Sequence, residues 1–112
     1  MPPDRGLRLR IEDIIDSITK IQAYTKGMDF ETFAWDERTV DAVIRHFGVI
    51  GEAASHLPDS FQVAHPEIPL DAMRNFVIHE YFGVSKEIIW KTLTKDLPPL
   101  IGPLNASLRE ES

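Results

Sequence analysis

The sequence has no cysteine among its 112 residues, which excludes a disulfide framework and a thiolate metal site. Long apolar runs are also missing, since none approaches the roughly 20 residues that a membrane-spanning helix needs. Residues 1–10 lack the apolar stretch of a secretory signal peptide. We therefore expect one cytoplasmic domain over residues 1–112, with residues 109–112 as a frayed tail.

The sequence also lacks an excess of positive charge, because its formal net charge is −6. The acidity is concentrated in residues 27–72, which hold nine acidic and two basic residues. This balance argues against a protein that coats nucleic acid. It does not exclude an enzyme that contacts RNA at one spot, because local charge matters more than the total.

Strand-like alternation is nearly absent, and apolar residues recur instead at helical spacing. The first helix is predicted from about Asp4, its N-cap, to Lys26, with Gly27 in the left-handed conformation that ends a helix. Its apolar face consists of Leu7, Ile11, Ile14, Ile18 and Ile21, widened by Ile15.

Two aspartates are predicted to cap the next helices. Asp29 precedes a short turn that buries Phe30 and Phe33, and Asp36 precedes a second long helix to about Leu57. Within that helix, Gly48 and Gly51 each cost roughly 1 kcal/mol in helix propensity, so another backbone is expected to pack closely there. After this helix, a break is predicted over 58–69, followed by a helix from about Leu70 to Phe82 that is interrupted at Gly83. Ser85 is predicted to cap the next helix. A last helical segment is predicted around Pro98, Pro99 and Pro103. The pattern predicts an all-α protein, an antiparallel bundle of four to six helices.

Three of the four histidines are best explained by structure. His46 beside Phe47 is interpreted as a surface or satisfied core residue. Glu52 and His56 are four residues apart and could hold a metal, but a helix-surface pair is the preferred interpretation. His65 carries no specific signal.

The fourth histidine lies in a segment rich in groups suited to phosphoryl chemistry. On a continuous helix, Asn75 and His79 are about 40° apart, Arg74 is about 140° from His79, and Tyr81 about 200°. Imidazole can exchange a proton with the 2′-hydroxyl or the leaving oxygen, and arginine can stabilise charge on the phosphate. Neither role needs a metal or another cofactor. Taken alone, R-x4-H is a weak pattern, and an amphipathic helix with polar outer residues is the preferred interpretation of the spacing.

Residues 73–84, which read MRNFVIHEYFGV, resemble the R-x4-H-x-Y signature of HepT-type HEPN ribonuclease toxins. Other segments resemble the same family in the same order. They are Thr39–Val43, Ile50–Ala54, His65–Pro69, Trp90–Leu93 and Asp96–Leu100.

The resemblance implies a HEPN helical bundle that forms a homodimer, with the R-x4-H segments of both chains lining one cleft. It implies a metal-independent endoribonuclease toxin with RNA as substrate, Arg74 and His79 as the catalytic pair and Asn75 in support. A MntA-type nucleotidyltransferase of a type VII toxin–antitoxin pair is expected to silence it by AMPylation of Tyr81. The alternative function is a catalytically silent HEPN dimer that acts as a scaffold for such a nucleotidyltransferase. A plain structural bundle is a third hypothesis.

The chain departs from the family pattern just before the motif. Leu70 stands where the family usually has Trp, and about three residues are missing before Met73. Three helical residues correspond to roughly 4.5 Å of length and 300° of rotation. Either this helix begins later, with the preceding loop absorbing the change, or its register in the bundle differs.

Overall fold

The computed structural model describes residues 3–76 and 85–110, with side chains from residue 6 onward. Within these ranges the chain is helical and contains no strand, so the all-α prediction is confirmed. Helices α1 (Pro3–Thr25) and α3 (Glu37–Ser55) form the main packed pair of the bundle. No described helix has the length and apolar character to cross a membrane.

The apolar face of α1 forms one wall of the core. Ile11, Ile14, Ile18 and Ile21 are completely buried, as their spacing predicts. Gly27 has φ of +79° and ends the helix in the left-handed region, which confirms the predicted stop. The helix begins at Pro3, so Asp4 lies in its first turn and is not the N-cap.

Both predicted aspartate caps are confirmed. The Asp29 carboxylate accepts a hydrogen bond of 2.8 Å from the N–H of Thr32 at the start of α2 (Phe30–Trp35). The Asp36 carboxylate accepts one of 3.1 Å from the N–H of Thr39 at the start of α3. Each bond satisfies a donor that the first helical turn leaves without a partner.

Two details of this region differ from the prediction. Phe33 is fully buried, but Phe30 is only half-buried, with its ring centroid 6.5 Å from that of Trp90. Helix α3 ends at Ser55, two residues before Leu57, because the N–H of His56 bonds to the Ala53 and Ala54 carbonyls and closes the last turn. Gly48 and Gly51 are buried, as close packing at those positions requires.

The predicted break over 58–69 contains a short helix, α4 (Asp59–Ala64), so that prediction is wrong in part. The helix buries Phe61. The Gln62 amide group ties the following turn together: its Nε2 donates to the Ile68 carbonyl at 2.6 Å, and its Oε1 accepts from the Leu70 N–H at 2.8 Å. The segment lacks apolar residues at helical spacing, and these side-chain hydrogen bonds to distant main chain hold it in place instead.

Helix α5 (Leu70–Arg74) begins at the predicted residue but is shorter than predicted. The N–H of Asn75, the residue after the helix, donates to the carbonyls of Asp71 and Ala72. This shared bond tightens the last turn and ends the helix. Phe76 is again helical, and residues 77–84 lie outside the described residues. Leu70 is fully buried, so the residue at the family's Trp position belongs to the core.

The chain after residue 85 follows the prediction with local changes. Ser85 caps α6 (Lys86–Lys91) by accepting from the Ile88 N–H at 3.3 Å, although Ile88 itself is half-exposed. A π-helical turn over Thr92–Asp96 and a 3₁₀ turn over Pro98–Leu100 then lead into α7 (Ile101–Glu110). Helix α7 packs on α1, where Leu104 is fully buried.

Candidate active site

Arg74, the last residue of α5, directs its guanidinium toward the end of α3. Its Nε donates to the Ala54 carbonyl at 3.2 Å and its Nη2 to the Leu57 carbonyl at 2.7 Å. The Ala54 carbonyl lies in the last turn of α3 and also accepts from the Leu57 N–H at 3.1 Å, whereas the Leu57 carbonyl lies just after the helix. The side chain is 27% exposed. Arg74 therefore joins α5 to the end of α3.

Two carboxylates reach the same guanidinium, one from α5 itself and one from α4. Asp71 Oδ1 lies 3.1 Å from Nη1, and Asp59 Oδ1 lies 3.7 Å from Nη2. Asp71 precedes Arg74 by three positions on α5, whereas Asp59 is the first residue of α4. Neither was singled out from the sequence. The three-residue spacing could have indicated Asp71, but no local signal indicates Asp59.

Asn75 faces a different part of the molecule from the Arg74 side chain. It is exposed and lines a cleft of about 600 Å³ between the end of α5 and the segment after α6. Met73 and Phe76 form the apolar wall on one side, with Lys95 and Asp96 among the residues opposite. The Phe76 ring stacks on Phe47 of α3, with centroids 5.0 Å apart. Arg74 and Asn75, although adjacent in the sequence, therefore lie at two separate surfaces of the protein.

The other two residues predicted for this site, His79 and Tyr81, lie outside the described residues. The projection angles derived from the sequence assumed a continuous helix, whereas α5 ends at Arg74.

The remaining histidines occupy structural positions. The Nδ1 of His46 is 3.1 Å from the Ser17 hydroxyl, and the ring lies 5.7 Å from that of Tyr24. Burial, followed by the positive charges of Lys20 and Arg45, lowers the pKa of His46. The preferred interpretation of His46 as a satisfied residue is confirmed.

His56 and His65 are also accounted for by near neighbours. The Nδ1 of His56 donates to the Glu52 carbonyl at 2.9 Å and lies 3.8 Å from the Glu52 carboxylate, as expected of a helix-surface pair. His65 is buried, with its ring 4.7 Å from that of Phe61. Over 3–76 and 85–110, no three His, Asp or Glu side chains are grouped to hold a metal ion.

Comparison with known proteins gives a family match for most of the chain. A family described as "Ribonuclease HepT-like" matches residues 14–106, which is most of the chain. The chain belongs to the HepT-like ribonuclease family. Within that family Arg74 and Asn75 are residues of a ribonuclease domain, and RNA is the substrate class that the family name states.

Several HepT-like relatives match over nearly their whole length. A probable ribonuclease HepT of Thermococcus cleftensis is 43% identical over 95 residues, covering 82% of this chain and 86% of the relative. A putative RNase of Methanocaldococcus jannaschii is 37% identical, with coverage of 86% and 82%. A putative RNase of Caldanaerobacter subterraneus subsp. tengcongensis is 36% identical, with coverage of 90% and 93%. No solved structure matched the chain.

Proposed function

We propose that this HepT-like protein is a metal-independent endoribonuclease toxin that cleaves RNA with Arg74 and His79. The family match over residues 14–106 and the names of the relatives support ribonuclease activity. The observation that carries the role of Arg74 is its fixed guanidinium, held by the Ala54 carbonyl of α3 and the Leu57 carbonyl just after that helix. A charge fixed before the substrate arrives stabilises a transition state without the cost of reorganisation.

The proposed reaction uses the 2′-hydroxyl of RNA as its nucleophile. The 2′-oxygen attacks the adjacent phosphorus, and the bond from phosphorus to the 5′-oxygen of the next nucleotide breaks. His79 accepts the 2′-hydroxyl proton or protonates the departing 5′-oxygen, as an imidazole can near neutral pH. Arg74 stabilises the negative charge on the phosphoryl oxygens, and Asn75 supports substrate binding from the adjacent cleft.

Two copies of the chain are proposed to form the active cleft, with their R-x4-H segments facing each other. A dimer would place two arginines near one phosphodiester, although each chain is acidic overall. Light scattering on the purified protein should therefore give twice the 12.7 kDa mass of the chain. A monomer with full activity would contradict the shared cleft.

Tyr81 is proposed as the control point. A MntA-type nucleotidyltransferase would join the phenolic oxygen to the α-phosphorus of ATP, releasing pyrophosphate and the phenolic proton. The added AMP brings bulk and negative charge next to a phosphate-binding cleft, which would repel RNA. Intact-mass measurement after incubation with the enzyme and ATP tests this step. An adduct that persists in Tyr81→Phe would contradict the assignment.

The decisive experiment measures cleavage of a defined single-stranded RNA in the presence of a chelator. The wild-type protein should cleave, whereas Arg74→Ala and His79→Gln should reduce cleavage by at least a hundredfold. His56→Gln is the matched control, because His56 is an exposed histidine with a structural partner. Inhibition of cell growth by each variant should follow the same order as its cleavage of RNA. Equal cleavage by wild type and His79→Gln would exclude the proposed catalytic pair.

A catalytically silent scaffold is the second candidate, and one observation favours it. All three guanidinium nitrogens of Arg74 already interact within the chain, as they would in a purely structural residue. A scaffold would bind the nucleotidyltransferase tightly without slowing growth in its unmodified form. Growth inhibition that disappears in His79→Gln would argue against it.

A further inference from the structure

The Arg74 guanidinium has two edges, and they bind chemically different partners. Nε and one N–H of Nη2 form the edge that donates to the Ala54 and Leu57 carbonyls. Nη1 and the other N–H of Nη2 form the second edge, where Asp71 and Asp59 lie at 3.1 and 3.7 Å. The first edge is anchored by main chain, and the second is met by carboxylates.

The carboxylate edge is the one that a phosphodiester would need. Arginine binds phosphate through two parallel N–H groups, and a carboxylate presents its oxygens to the same groups with similar geometry. With the Nε edge bound to α3, the only remaining pair of N–H groups is on Nη1 and Nη2. An RNA phosphate that binds Arg74 in this position must therefore replace Asp71 and Asp59.

The two aspartates are held loosely enough to be replaced. Their side chains are 93% and 97% exposed, whereas Arg74 is 27% exposed. Ion pairs between exposed groups are weak and are screened by salt, and one guanidinium bond to carbonyl oxygen is short, at 2.7 Å. Exchange of carboxylate for phosphate leaves the anchor on Ala54 and Leu57 in place.

We propose that Asp59 and Asp71 form a built-in brake on this ribonuclease by occupying the phosphate-binding edge of Arg74. The inference rests on the proposed function, since it assigns Arg74 to the substrate phosphate. The brake weakens binding of RNA by competing for the arginine and by repelling the phosphate. The Ala54 and Leu57 carbonyls, and not the aspartates, fix the orientation of the guanidinium, so the rate of the chemical step does not depend on the brake.

The test compares variants that remove these charges and keep the side-chain shape. Asp59→Asn, Asp71→Asn and the double variant are titrated with a labelled 2′-O-methyl oligoribonucleotide, which lacks the attacking hydroxyl and is not cleaved. The matched control is Asp41→Asn with Glu67→Gln, which removes two exposed acids from the same acidic region of the chain. Melting temperatures of all variants confirm that they are folded.

Each single variant should bind the probe roughly two- to fivefold more tightly, which is the range expected of exposed ion pairs. The double variant should gain about tenfold, and the control less than twofold. When Arg74→Ala is also present, the gain in probe affinity of the double variant should be no larger than that of the control. With cleavable RNA, KM should fall by the same factor while kcat stays unchanged.

Two results would overturn the brake: a double variant that binds no more tightly than the control, or a gain that survives intact in the Arg74→Ala background. Failure of the proposed function is recognised separately, because then no variant cleaves RNA, the wild type included. In that case, titration with the uncleavable probe still shows whether the aspartates compete with phosphate for Arg74.

Discussion

Arg74 has a structural role in addition to its proposed catalytic one. Replacement by Ala removes the guanidinium donor from the part-buried Leu57 carbonyl, whereas the Ala54 carbonyl keeps the N–H of Leu57 as a donor. An acceptor left without its partner costs about 1–3 kcal/mol. We expect Arg74→Ala to lower the free energy of unfolding by that amount, measured by urea denaturation. Arg74→Lys should lose nearly as much, because an ammonium cannot reproduce the fork geometry.

This effect matters for interpreting the activity measurements. If Arg74→Ala unfolds at the same urea concentration as the wild type, the anchor on α3 is not formed in solution. The stability of the variant must also be known before its lost toxicity is assigned to chemistry. His79→Gln provides the independent route to the same conclusion.

His46 makes the stability of the protein depend on pH. Burial and the charges of Lys20 and Arg45 lower its pKa in the folded state, with Asp16 acting in the opposite direction. Between the folded and unfolded pKa values the unfolded chain binds more protons, so stability falls as pH decreases below about 6.5. We expect this loss to be smaller in His46→Gln, measured as melting temperature between pH 7 and 5.

Exposed His56 supplies the comparison for that experiment. His56→Gln removes an exposed imidazole that lies 3.8 Å from the carboxylate of Glu52, which is also exposed. The melting temperature of His56→Gln should fall with decreasing pH as steeply as that of the wild type, because His46 causes that fall. A profile for His46→Gln that matches the wild type would show that the half-buried position of His46 does not affect its titration.

Helix ends are the elements that the sequence predicted best, because their chemistry is local. Asp29, Asp36 and Ser85 each accept an N–H three residues ahead, and this needs no information from the rest of the fold. The cap predicted at Asp4 failed because the helix starts one residue earlier, at Pro3. Proline suits the first helical turn, where its missing N–H costs nothing.

Elements held by distant contacts were predicted poorly. Helix α4 depends on Phe61 reaching the core and on Gln62 bonding to main chain as far as Leu70. The end of α5 and its orientation on α3 involve Arg74 bonds across 17 and 20 residues. Such contacts follow from how helices pack, which apolar spacing does not specify.

Gly27 and Gly6 give opposite predictions for the same substitution. Neither has a heavy atom within 4 Å of the position where a Cβ would be, so steric clash does not contribute. Gly27→Ala forces a side chain into φ of +79° and should destabilise by about 1–2 kcal/mol. Gly6→Ala lies in α1 and should stabilise by up to about 1 kcal/mol through helix propensity.

Chemical denaturation of both variants beside the wild type measures this difference directly. If Gly27→Ala is neutral, the turn after α1 adopts another conformation in solution. The pair separates backbone conformation from packing, because both sites are open to solvent.

At the scale of the whole molecule, the proposed RNA contact is a single arginine on an acidic chain. The net charge is −6, and the acids of residues 27–72 include Asp59 and Asp71 beside Arg74 itself. We therefore do not expect electrostatic attraction over a wide surface to be the main source of RNA affinity. Binding must come from a few direct contacts, including the cleft that Asn75 lines.

This charge distribution predicts a shallow salt dependence of RNA binding. For single-stranded nucleic acid, the slope of log K against log salt is about −0.7 per phosphate neutralised. A cleft with one Arg74 from each of two chains neutralises about two phosphates, which gives a slope of about −1.4. Titration of the 2′-O-methyl probe between 50 and 200 mM salt should therefore weaken binding by only about sevenfold. A slope steeper than about −4 would require a basic surface of about six cations or more, and would contradict recognition centred on Arg74.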